Sequence, residues 1–197
     1  MAGTTTYWVL KTNYTSAVIE NLPEGAPEEH LLDEGMRLAD QFPPGASVRF
    51  SDRFATRRTV CDFMSNTFGS LIVSAKVKRI LEEQGAQNCE FIPLTILDHK
   101  GKVASREHFL LNVLGHEEAV DMERSVLDMD SILKDRIAYF NKLVLRREGI
   151  PPNAPIFRLR RKRNEFLISQ AVYDAFNKEG VTGFKGFLAE GWDGQDF

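Results

Sequence analysis

Two stretches of this chain carry the same pattern at a constant offset of 95 positions, and that repetition narrows the folds open to it. In the first, Leu71-Ile72-Val73 is an apolar run and Ser74 follows it. Val77, Ile80 and Leu81 then fall on one helical face, and Gly85 closes the stretch. In the second, the run is Phe166 to Ile168, followed by Ser169, Val172, Phe176 and Gly180. A short apolar run bounded by polar residues reads as a buried strand. A serine after it can accept a hydrogen bond from an orphan N–H at a helix start. A glycine suits the left-handed position just past a helix end. The pattern predicts strand, capped helix and stop, twice over. It suggests two similar strand–helix halves, although the same sequence of parts is also common in unrelated chains.

A strand running into a helix is also where phosphates are cradled. That chemistry needs glycines between strand and helix, so that backbone N–H groups can approach the anion. Here the junction is Ile168-Ser169-Gln170, without glycine. Gly180, Gly183 and Gly186 all follow the helix, at the wrong end of its dipole, and read as a C-cap and a flexible exit. No GxGxxG or GxxxxGK[ST] occurs anywhere in the chain.

The rest of the chain reads mostly as short strands. Tyr7 to Lys11 is a first strand, and Glu20 to Asp40 is turn-rich and acidic. Pro43-Pro44-Gly45 breaks the chain before Ser47 to Phe50. Cys89 to Leu97 and His108 to Leu114 are further strands around a turn at Asp98 to Gly101, with a short one at Ala119 to Met122. Within Ser131 to Leu145, the density of Tyr, Phe, Val and Leu favours a strand from Arg136 onward. Ile156 to Leu159 and Glu165 to Ile168 form a hairpin around the polar turn Arg160 to Asn164. The expected class is α+β: mixed, largely antiparallel sheets with a few short helices. At 197 residues the chain reads as a single domain, or as two lobes of about 1–115 and 116–197.

Reactive residues are sparse and scattered. Cys61 and Cys89 make neither a disulfide framework nor a zinc site. His116, Glu117, Glu118 and Asp121 come nearest to a metal cluster, but no second histidine stands at i+4. Asp128-Met129-Asp130 matches DxD and Ser131 to Lys134 matches SxxK, each without the partner motifs that give it meaning. No catalytic set, metal or cofactor is expected, and the chain reads as not an enzyme. MAGTTTYWVLK lacks the basic n-region and apolar core of a signal peptide, and no window approaches a membrane span. A soluble, cytoplasmic protein is expected, which leaves the sequon Asn13-Tyr14-Thr15 idle.

Charge is distributed more tellingly than its total of −3 suggests. Glu20 to Asp40 holds seven acids against Arg37, and Glu117 to Asp130 holds six against Arg124. Lys134 to Arg163 holds ten basic residues against Asp135 and Glu148. Separated acidic and basic faces suit recognition of a charged protein. The candidate partner-binding residues are Glu24, Glu28, Glu29, Asp33, Glu34, Glu117, Glu118, Asp121, Arg158, Arg160 and Arg161. The run Arg158 to Arg163 also raises a nucleic-acid reading, but no aromatics are interleaved for stacking. An enzyme with an unmarked, spatially assembled site is the other alternative.

Leu111 to Ser125, Asn141 to Leu159 and Phe166 to Phe184, taken together, resemble the bacterial immunity protein family numbered eleven, formerly a domain of unknown function. The matching features are Leu111-Asn112-Val113, the acidic segment Asp121 to Ser125, Phe157-Arg158 and Thr182-Gly183, with Asp62-Phe63 and the unit Ser70 to Gly85 before them. The resemblance covers roughly residues 60–187. It implies the antidote of a polymorphic toxin system: a cytoplasmic protein that neutralises a cognate protein toxin encoded nearby. It brings no catalytic residues with it.

Overall fold

Ser74 and Ser169 act as their positions dictate. In the computed structural model, which describes residues 5–195, each hydroxyl accepts the backbone N–H three residues on, from Val77 and Val172. These caps open α1 (Ala75–Glu83) and α2 (Gln170–Lys178). Past the helix ends, Gly85 and Gly180 take φ of +83° and +60°, which only glycine adopts freely. The strands among the described residues are β1 (Tyr7–Thr12), β2 (Val18–Ile19), β3 (Ser47–Arg49), β4 (Phe63–Asn66), β5 (Leu71–Ser74) and β6 (Cys89–Leu97). They continue as β7 (Val103–Val113), β8 (Val126–Met129), β9 (Ile137–Lys142), β10 (Ile156–Arg158), β11 (Phe166–Ser169) and β12 (Phe184–Leu188). The class is α+β, as the sequence predicts.

Each helix links two parallel strands that are not neighbours. β5 and β6 run parallel with β7 between them, antiparallel to both. β11 and β12 run parallel with β1 between them, again antiparallel to both. A crossover of this kind leaves a slot whose N–H and C=O groups must find partners, and a third strand fills it. The registers agree pair for pair. Leu111 lies between Leu71 and Phe91, and Leu10 lies between Phe166 and Gly186. Val113 faces Cys89 as Thr12 faces Phe184. A hairpin precedes each unit, β4–β5 in one and β10–β11 in the other. A parallel segment borders each hairpin: β2 beside β4, and Glu117 beside Leu159. The chain therefore consists of two similar halves. The opening strand of each, β1 and β7, sits in the slot of the other.

Strand alternation divides the apolar residues among three cores. Leu71, Val73, Leu111, Leu10, Phe166 and Ile168 point into a central core with Val77, Ile80 and Leu81 of α1 and Val172 and Phe176 of α2. The alternate residues Ile72 and Leu110 face a second core, closed by Leu32, Leu38, Phe42 and Val48 from the segment before β4. Val9, Leu167 and Phe157 face a third, closed by Val120, Ile137, Phe140, Leu143 and Leu145 from the segment before β10. Strands β5 and β11 are thus buried on both faces, which is why they are continuous apolar runs. Each large side chain buried this way contributes about 1.5–3 kcal/mol of transfer free energy.

Some local expectations change. β7 begins at Val103, five residues before the expected His108, because it pairs along β6 past a bulge. Ala119 to Met122 is not a strand; among the described residues it pairs through the isolated bridge Val120–Leu145. Gly186 is no flexible exit. It lies in β12, where a Cβ would come within 2.5 Å of the Tyr173 ring, itself stacked on Trp8 at 3.9 Å. β8 was not foreseen at all: its four residues pair antiparallel with β9, with two register shifts.

Candidate partner-binding surface

The charged segments that look separate in sequence are folded onto each other. Arg158, at 2% exposure, is interior. Its guanidinium donates to the Leu32 carbonyl at 2.8 Å and the Arg163 carbonyl at 3.3 Å, and lies 5.0 Å from the Phe166 ring centre. Burial pushes its pKa down to about 10. Arg158, a candidate for partner contact in the sequence, holds the acidic segment down from inside. Strand alternation puts Arg158 on the same face as Ile156, which lies in the central core. Glu34 pairs with Arg163, and the Asp33 carbonyl meets His116 Nε2 at 2.8 Å. Gly35, at φ +62°, accepts from the Gly115 N–H, and a Cβ there would come within 2.9 Å of Gly115. Residues 32–35 are thus stapled to the second half.

The remaining candidates divide. Glu118 is shared by Arg160 at 2.9 Å and Arg161 at 3.8 Å. Glu117 is half-buried, its backbone exchanging hydrogen bonds with Arg158 and Arg160, and burial raises its carboxyl pKa. Asp121 accepts from the N–H groups of Glu123 and Arg124 and so caps a turn. Glu24, Glu28 and Glu29 are exposed, with Glu28 beside His30 at 3.2 Å. The structure brings Glu34 and Arg158 to the seam between the halves, gathers Glu118, Arg160 and Arg161 into one ion-paired group, and leaves Glu24, Glu28 and Glu29 exposed.

Two polar clusters have the residue types of catalysis. Ser105 Oγ lies 2.8 Å from His108 Nδ1, and His108 Nε2 lies 2.9 Å from the Cys61 carbonyl. A carbonyl only accepts, so Nε2 carries the proton and Nδ1 accepts from the serine. Burial lowers the His108 pKa and keeps the ring neutral. Nearby, Asp62 accepts from Ser74 Oγ (2.7 Å), Lys76 Nζ (3.1 Å), and the N–H and hydroxyl of Thr182 (both 2.9 Å). Its oxygens are engaged there while His108 is oriented by a backbone carbonyl. The pair fixes β7 to the chain before β4, and Asp62 ties the α1 cap to the exit from α2. Cys61 and Cys89 are free thiols, and burial pushes Cys89 up to about 12. Among the described residues no three His, Cys, Asp or Glu side chains are placed to hold a metal, and no helix is long and apolar enough to cross a membrane.

The surface that sequence reasoning missed is the β8–β9 hairpin. Leu127 and Phe140 face each other and pack inward, as does Ile137. Met122, Val126, Met129, Ile132, Leu133 and Tyr139 are exposed, Ile132 to 85% and Tyr139 to 72%. Apolar density predicted a strand at β9, but exposure depends on what covers it, which local sequence does not state.

The model of the Immunity protein family (Imm11) matches residues 5–187 of this chain. The match runs from ahead of β1 into β12, so it takes in both halves and both exchanged strands. No curated protein matched.

Proposed function

The chain belongs to the Immunity protein family (Imm11), and from that premise we propose that it is a cytoplasmic antidote. It binds a cognate protein toxin, encoded nearby in a polymorphic toxin system, and neutralises it by occlusion. The family match over both halves is the observation that carries this reading. Occlusion asks only for a stable scaffold and a complementary surface of ~800 Å² on each partner. The two interlocked sheets and their three cores supply the scaffold. The engagement of Ser105, His108 and Asp62 in structural hydrogen bonds favours a binding role over a catalytic one.

A nucleic-acid role for Arg158 to Arg163 gains no support from the fold. Arg158 is interior, Arg163 pairs with Glu34, Glu118 engages Arg160 and Arg161, and Lys162 donates to the Ala138 carbonyl. The test of the antidote reading is co-expression with the product of the neighbouring gene. Restored growth and co-purification of the two proteins are expected. Continued toxicity at ample antidote levels, with no complex recovered, overturns the reading.

A further inference from the structure

The segment between the opening strand and the hairpin is built differently in the two halves: the first leaves Tyr14, Met36 and Val60 exposed at separate places, while the second gathers most of its exposed apolar residues on one hairpin. In the first half, that segment turns Leu32, Leu38, Phe42 and Val48 into the core. Its counterpart in the second half buries Ile137 and Phe140 but holds Ile132, Leu133 and Tyr139 out in water. The exposed tip is not slack. Asp130 Oδ1 accepts from the N–H groups of Ile132 and Leu133, both at 2.8 Å. The Arg136 N–H donates to the Leu133 carbonyl at 2.8 Å, and the Asp130 N–H to the Arg136 carbonyl at 2.9 Å. At its base, the Ile137 N–H donates to the Arg161 carbonyl at 2.7 Å. A rigid turn that presents two aliphatic side chains to solvent has met the ordering cost of binding in advance. Isolated exposed apolar residues are ordinary, but a contiguous group marks an interaction site.

Charge indicates what fits there. Residues 118–146 and 160–162 carry eight basic and six acidic side chains, on a chain whose total is −3. Lys134 and Arg136 flank the tip with Asp135 between them, the Asp130 carboxylate is taken up by the N–H groups of the turn, and Lys162 lies 5.7 Å from the Tyr139 ring centre. We propose that the β8–β9 hairpin is the toxin-contacting surface, with Ile132 and Leu133 entering an apolar cleft bordered by carboxylates on the toxin and Tyr139 packing beside it. This rests on the antidote reading and adds to it where contact is made and what chemistry the partner presents.

The test uses the intact chain and the product of the neighbouring gene. The double variant I132D/L133D, and separately Y139A, should each weaken binding by about 30-fold or more, mainly through faster dissociation. Their melting temperatures should match the parent, because the altered side chains are exposed. K134E/R136E should slow association, with the effect fading as salt is added. E24Q/E28Q/E29Q should bind as the parent does. If the parent binds and the hairpin variants bind equally well, the hairpin assignment falls while the antidote reading stands. A loss confined to E24Q/E28Q/E29Q moves the surface to the acidic segment and likewise overturns the assignment. A parent chain that is dimeric alone, and monomeric as I132D/L133D with toxin binding unchanged, shows the hairpin to be covered by a second copy. A parent that neither binds nor rescues removes both readings together.

Discussion

Arg158 and Asp62 are the two ionised groups whose surroundings most affect the folded state. The Arg158 guanidinium is satisfied chiefly by backbone carbonyls, so removing it strands the Leu32 carbonyl in the interior and opens a cavity. Arg158→Ala should cost about 2–4 kcal/mol in urea unfolding, while the molecules that remain folded bind toxin normally. Lost binding with undiminished stability would return Arg158 to the partner surface. For Asp62, burial alone would raise the carboxyl pKa, but hydrogen bonds from Ser74, Thr182 and Lys76 outweigh it and hold the pKa below its ordinary value. A depressed carboxylate contributes stability that is present above the unfolded value, near 4. That stability is lost as pH falls through the folded value. Asp62→Asn should therefore lower the urea midpoint at neutral pH and flatten its decline below about pH 4. An acid limb as steep as the parent's would rule out this role.

At the scale of elements, the paired helix units are where sequence was most legible. Ser74, Ser169, Gly85 and Gly180 act locally, and local chemistry is what a single sequence displays. Ser169→Ala should cost about 1 kcal/mol through loss of the α2 cap. Ser74→Ala should cost more, because the Ser74 hydroxyl also donates to Asp62 at 2.7 Å. Thermal melting of the two variants side by side checks the order, and equal losses would deny Asp62 its share. The hairpin β8–β9 was less legible. Its register shifts break the simple alternation that separates inward from outward residues, so Ile137 and Phe140, three positions apart, are both buried. The basic run was misread for a related reason. Charge density suggested solvent, while a short strand covered on both faces holds Arg158 inside.

For the whole molecule, the exchange of β1 and β7 is the feature that local patterns could not reveal. It depends on pairings between residues as distant as Tyr7 and Ser169. Because each half lacks the central strand of its own sheet, neither is complete without the other, and residues 32–35 bind them further. We predict one cooperative unfolding transition, with equal calorimetric and van't Hoff enthalpies, rather than separate melting of the half from β1 to β6 and the half from β7 to β12. Two resolved transitions would contradict this. A scaffold locked in this way can hold a rigid surface against a partner, as the proposed neutralisation by occlusion requires. The most direct measurement is a titration of purified toxin activity with the purified chain. Occlusion predicts activity that falls in proportion to added chain and vanishes at one equivalent. Loss of activity at far less than one equivalent, or activity that persists in excess, would contradict it.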